Sequence, residues 1–200
     1  MKKLLLTLVA VLALSTAVYA NAQSDYQAGK KAYEEKNYEQ ALTYYQSAIK
    51  ANSKFADAYY GKGETEIELQ KYDDAVESFT KVIQLKPHSA DGYYGRGAAY
   101  ATKTEYKKAE ADLTKAISLD PDDFEKYEAR AMVYYQLKDK EAAYNDVEKA
   151  MEVAPERGEP YMLRAMLEFG DLKFFSAFKD YRKFKKLDKK YQKSLEKAKK

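Results

Sequence analysis

Residues 56–89 read ADAYYGKGETEIELQKYDDAVESFTKVIQLKPHS, and residues 90–123 read ADGYYGRGAAYATKTEYKKAEADLTKAISLDPDD. The two stretches align without a gap, so the chain repeats with a period of 34. Working outward, Ala41, Ala75, Ala109, Ala143 and Ala177 keep that spacing. So do Gly29, Gly63, Gly97, Ala131 and Ala165, and so do Tyr45, Phe79, Leu113, Val147 and Tyr181. Ile49, Ile83, Ile117 and Met151 form a fourth column, and Pro87, Pro121 and Pro155 a fifth. A fixed period of this length marks a stack of supersecondary units, each unable to bury its apolar face alone.

Each repeat carries two helical patterns. In the second, Tyr59, Gly63 and Ile67 share one helix face, and Ala75, Phe79, Val82 and Ile83 share another. Gln70-Lys71-Tyr72-Asp73 is the polar link between them. Small residues at Gly63 and Ala75 allow close approach. The prolines stop the second helices, Asn37 with Gln40 fits a capping box, and Pro160 suits a first helical turn. No stretch reads as a strand.

The pattern resembles the tetratricopeptide repeat (TPR) family over about Ala22 to Tyr191. Tyr59, Tyr93, Tyr127 and Tyr161 stand where that family favours Trp. The expected fold is an all-α solenoid of about five helix–turn–helix units, a right-handed superhelix. The units are 22–55, 56–89, 90–123, 124–157 and a divergent 158–191, the array spans 23–191, and a basic tail follows at 192–200. The resemblance implies a concave groove lined by the first helix of each unit. Helical phase projects Tyr26, Lys30 and Tyr33 there, then Asp57, Tyr60 and Glu64, then Asp91 and Tyr94. Glu125, Met132 and Tyr135 follow, and Met162, Met166 and Phe169 complete the set. Tyrosine and methionine flanked by acids suit a peptide with apolar and basic side chains. The carboxylate clamp of chaperone-adaptor members is not matched: Tyr26, Lys30, Gly61, Asp91 and Gly95 stand at its positions, and only Lys30 is basic.

The composition narrows the chemistry. The 200 residues include no Cys, one His and no Trp, but 20 Tyr. Disulfides and Cys-ligated metals are excluded. His88 falls in an inter-repeat link. Asp120-Pro121-Asp122-Asp123 lacks the spacing of a calcium loop. Gly61-Lys62-Gly63 and Gly95-Arg96-Gly97 lie inside helices and lack phosphate-loop spacing. The sequence offers no catalytic residues, metal site or cofactor site, and a non-catalytic adaptor is expected.

Met1-Lys2-Lys3, the apolar run Leu4–Leu14 and the small residues to Ala22 read as a Sec-type signal peptide over 1–22, cleaved after Ala20 or Ala22. The apolar run is shorter than the ~20 residues that span a bilayer. Export to the periplasm or beyond is expected. The net charge of +3 conceals two parts. Residues 21–171 carry −8 and residues 172–200 carry +9. Within the latter, Phe174, Phe178, Tyr181, Phe184, Leu187, Tyr191 and Leu195 recur at helical spacing. Arg182, Lys183, Lys185, Lys186, Lys189, Lys190 and Lys193 supply a basic surface. One reading makes 172–187 the last second helix, extended or capped by 188–200. The alternative is a tether that docks on an anionic membrane or envelope polymer. The partner in the main reading is a protein or peptide, with no nucleic acid.

Overall fold

The structure, a computed structural model, describes residues 20–198. Met1–Tyr19, most of the expected signal peptide, and Lys199 and Lys200 lie outside the described residues. The described chain is all helix and turn. It is helical over residues 20–34 (α1) and then forms α2 (Tyr38–Ala51), α3 (Ala56–Glu68), α4 (Tyr72–Leu85) and α5 (Ala90–Thr102). There follow α6 (Tyr106–Leu119), α7 (Phe124–Gln136), α8 (Lys140–Val153), α9 (Glu159–Gly170) and α10 (Phe174–Ala198). These are five helix–turn–helix pairs of the α-solenoid type. They group into an N-terminal half up to Ala99 and a C-terminal half from Tyr100.

The second helices start at Tyr38, Tyr72, Tyr106, Lys140 and Phe174, an unbroken spacing of 34. The turn before each has one construction. Lys36, Gln70, Thr104, Lys138 and Leu172 sit at φ between 58° and 67°, and none is glycine. Around each, an amide reaches five residues back, as Lys71 N–H to the Glu66 carbonyl at 2.7 Å and Asp139 N–H to the Tyr134 carbonyl at 2.9 Å. This Schellman closure satisfies carbonyls that the helix end leaves open. The closure places the link of the second repeat at 69–71, with Tyr72 and Asp73 already helical. Asn37 does not form the expected capping box. Its amide Nδ2 donates to Gln40 Oε1 at 2.9 Å, and the α2 backbone receives no side-chain cap. Pro160 does occupy the first turn of α9. The helices before Pro87, Pro121 and Pro155 end two residues ahead of them, yet α2 also ends at Ala51 with Ser53 in that column. The proline therefore reinforces the stop without being required for it.

The core follows the columns. Ala41, Ala75, Ala109 and Ala143 are wholly buried, and Tyr45, Phe79, Leu113 and Val147 are at most 3% exposed. Volume is traded between facing columns. The Tyr45 ring lies over Gly29 and Gly61, where an added Cβ would come to 2.8 Å and 2.5 Å of it. Phe79 likewise covers Gly63 and Gly95. Where the column shrinks to Val147, its partners grow to Ala131 and Leu163. The glycines admit an aromatic ring between helices, and a smaller side chain removes the need for them.

Candidate functional surface

A second column, not singled out from the sequence, holds the helix pairs. Arg130 donates to both Asp146 carboxylate oxygens, at 2.7 and 2.8 Å, and Arg164 to both of Asp180, at 2.5 and 2.9 Å. In the second repeat Lys62 donates to Glu66 at 2.5 Å and to Ser78 at 2.9 Å. Lys62, Arg96, Arg130 and Arg164 are themselves spaced by 34, as are Ser78, Asp112, Asp146 and Asp180. The same period would have exposed them. The Asp-rich link also has a structural use. Asp120 and Asp123 accept from the buried Lys126 ammonium, and Asp123 caps α7 at the Glu125 amide. His88 is exposed.

In the N-terminal half Tyr26, Tyr33, Asp57, Tyr60, Glu64, Asp91 and Tyr94 lie close to one another. Tyr33 is pushed up to about 12 by burial, with Glu64 and Glu68 adding. Burial also raises Tyr26, helped by Asp57 and Glu64. Tyr60 is raised by burial, then by Glu64, Asp91 and Tyr94, and its hydroxyl donates to Glu64. Burial raises the Glu64 carboxyl in turn; the hydrogen bond from Tyr60 opposes this, and Asp91 and Glu68 reinforce it. Tyrosines from α1, α3 and α5 thus meet around half-desolvated acid. Two of them also pack: Tyr26 lies 6.0 Å from Tyr45 and 5.0 Å from Phe55, and Tyr60 meets Phe79 edge-on at 5.5 Å. Helical phase alone projected them as free of packing, because it treats one helix at a time and does not see the rest of the same repeat, which supplies Tyr45, Phe55 and Phe79. Lys30 is exposed, and Asp57 is held by Lys86 at 2.6 Å.

In the C-terminal half, Glu125 is exposed and Met132 is 54% exposed. Tyr135 is half-buried, with its hydroxyl against Gly170. Burial, with Glu159 and Glu125 adding and Arg157 opposing, lifts Glu128 to about 7, and its Oε1 has no hydrogen-bond partner among the described residues. Met162, Met166 and Phe169 are drawn into a different feature. With Phe174, Phe175, Phe178 and Tyr181 of α10 they line an apolar hollow of about 740 Å³.

The basic residues do not form one face. Lys183, Lys186, Lys189, Lys190 and Lys193 surround Glu156, which accepts from Lys190. Arg182 and Lys185 instead lie over the Phe178 and Tyr181 rings, at 4.5 and 5.7 Å, beside the apolar hollow. In the segment 188–198, Lys190 donates to Glu156 and Arg157 stacks on the Tyr191 ring at 4.7 Å. The segment continues α10 as helix.

Tetratricopeptide-repeat profiles match residues 26–90, 65–124 and 97–168. The chain belongs to the tetratricopeptide-repeat family. No curated protein matches the sequence. Among solved structures, this TPR chain resembles TTC0263, a thermophilic TPR protein of Thermus thermophilus, at 21% identity and TM-score 0.72, covering 87% of this chain and 98% of that one. It resembles MamA of Desulfovibrio magneticus RS-1 at 20% identity and TM-score 0.71, covering 85% and 96%. YrrB, described as a TPR protein with an unusual peptide-binding site, matches at 19% identity and TM-score 0.61, covering 88% and 91%. These likenesses carry the fold. TPR proteins are generally non-catalytic scaffolds that bind proteins or peptides. Among the described residues, no three His, Asp or Glu side chains gather to hold a metal, and no helix is long and apolar enough to cross a membrane.

Proposed function

We propose that this TPR chain is a non-catalytic adaptor of the bacterial cell envelope that holds a basic, apolar peptide segment against α1, α3 and α5. The supporting observation is the surface of Tyr26, Tyr33 and Tyr60 around Glu64 and Asp91. Tyrosine gives wide contact at small entropic cost. The partly desolvated Glu64 carboxylate gains from an incoming cation, because some of its water is already lost. Binding should weaken with salt, chiefly through the exposed Asp91. The test is capture from an envelope extract by the chain and by a Glu64→Gln/Asp91→Asn variant, with bound proteins identified by mass spectrometry. The reading expects a set of proteins that the variant loses. An identical set on both chains overturns it.

The envelope placement rests on residues 1–22. Cleavage after Ala20 is the better of the two expected positions. Ala22 is 1% exposed within α1 and stands one repeat before the buried Ala56. Cutting after Ala22 would remove that contact. N-terminal sequencing of the exported chain tests this: a start at Asn21 agrees, a start at Gln23 contradicts the site, and an uncut chain retained in the cytoplasm contradicts export.

A further inference from the structure

The hollow between α9 and α10 has a counterpart inside the molecule. In the second repeat, Tyr60, Ile67, Val76 and Phe79 pack with Ala75 around Ala99, which lies on the first helix of the next repeat. Three repeats on, these positions are Met162, Phe169, Phe178, Tyr181 and Ala177, and all five line the hollow. The surface is therefore the seat that a repeat offers to the following first helix. Residues 192–198 stand where such a helix would begin, but they continue α10. The consequence shows in exposure. Tyr181 is 39% exposed where Tyr45, Phe79, Leu113 and Val147 are buried. Phe178 is 56% and Phe175 97% exposed. A contiguous aromatic face of this kind on a soluble helix pair marks a docking surface.

The charges beside the seat select its occupant. Arg182 and Lys185 stand over Phe178 and Tyr181 and pair with no carboxylate among the described residues. Asp180, next to Tyr181 in the chain, is held by Arg164, and Asp171 by Lys140 and Tyr144. We propose that the hollow receives an acidic amphipathic helix of a partner protein, its apolar stripe on Met166, Phe175 and Phe178 and its carboxylates on Arg182 and Lys185. A second copy fits less well in either orientation. Face to face, it would oppose two sets of like charges. Head to tail, it would offer Gln27 and Lys31, exposed polar residues in the columns of Gly61 and Thr65. A bilayer is flat, whereas the seat is concave and shaped for a helix ridge.

The probe is a fluorescein-labelled helical peptide with Ala and Leu at i, i+3, i+4 and i+7 and Glu on both flanks, with a Lys-flanked twin, read by anisotropy. Vesicles of phosphatidylglycerol and phosphatidylcholine, and sedimentation of the chain alone, complete the set. The Glu-flanked peptide should bind, and Phe175→Ser/Phe178→Ser should weaken it about tenfold or more. Arg182→Glu/Lys185→Glu should weaken it several-fold and reduce its salt dependence. Both variants should keep the parent far-UV spectrum, since the replaced side chains are exposed. Twin binding that Phe175→Ser/Phe178→Ser weakens as much as it weakens the Glu-flanked peptide overturns the proposal, as does no binding of the Glu-flanked peptide; twin binding lost in Glu64→Gln/Asp91→Asn belongs to the tyrosine surface. Vesicle binding without peptide binding assigns the face to lipid and overturns it. So does a dimer that Phe175→Ser dissolves. The Glu64→Gln/Asp91→Asn variant should bind the probe as the parent does, which separates this surface from the tyrosine surface.

Discussion

Gly61→Ala should destabilise the chain, although alanine is the better helix former. Within α3 the exchange favours the helix by ~1 kcal/mol. Against this, the new Cβ would lie 2.5 Å from Tyr45 Cζ and 2.7 Å from Cε1. Carbon atoms rest at about 3.5–4.0 Å. The ring has no room to retreat: it is 3% exposed, and its other side meets Gly29 so closely that a Cβ there would stand at 2.8 Å. Overpacking of this kind costs ~1–3 kcal/mol. It exceeds the helical gain over most of that range, leaving a net loss of up to ~2 kcal/mol. The partner change supplies the control. Tyr45→Leu alone opens a cavity, but Tyr45→Leu with Gly61→Ala approaches the smaller-core, larger-partner trade made by Val147 and Leu163. The double variant should exceed the sum of the singles by ~1 kcal/mol or more. Urea unfolding followed by far-UV circular dichroism reads the energies, and hydrogen exchange in α2 and α3 localises them. A gain of ~1 kcal/mol from Gly61→Ala alone would refute the ring-in-glycine account of repeat docking.

Three further outcomes follow from the geometry. Lys138 holds φ 67° without being glycine, so Lys138→Gly should stabilise by about 0.5–1 kcal/mol, visible as a raised Tm. Asp146→Ala strands the half-buried Arg130 guanidinium and should cost ~3 kcal/mol by urea unfolding, while a joint Arg130→Met/Asp146→Leu exchange should recover most of it. Glu128 is lifted to about 7. Between the unfolded value of about 4.3 and 7 the folded chain binds a proton that the unfolded chain has released, so stability falls as pH rises through that window. Glu128→Gln should remove this slope, matching the parent near pH 4 and exceeding it near pH 8 by ~1 kcal/mol after allowance for solvent screening. Thermal unfolding across that range checks it.

Much of the architecture is legible in the chain because the period acts on every column at once. The five pairs and the buried alanine and aromatic columns follow from residues 34 apart. The turns are less legible. Lys36, Gln70, Thr104, Lys138 and Leu172 share a backbone conformation but no side-chain chemistry, and the usual glycine signal is missing. The Arg130–Asp146 and Arg164–Asp180 pairs lie 16 residues apart, beyond the reach of helical i,i+4 reasoning, and needed the period applied to charged columns. The candidate surface divides in the same way. Phase placed Tyr26, Tyr33, Tyr60, Glu64 and Asp91 on first helices, and the structure brings them together. Phase did not show that Met162, Met166 and Phe169 would line a hollow with α10, because it treats each helix apart from its partner. Nor could composition show that the basic residues of α10 would divide between Glu156 and the Phe178–Tyr181 face.

The tyrosine-and-acid surface is tested most directly by isothermal titration of the whole chain with a peptide of alternating lysine and leucine. The account predicts binding that weakens with salt, falls at least several-fold with Glu64→Gln/Asp91→Asn, and is unmoved by Phe175→Ser/Phe178→Ser. Equal affinity for parent and charge variant, or equal binding of a peptide with glutamate in place of lysine to the Phe175→Ser/Phe178→Ser chain, would contradict it.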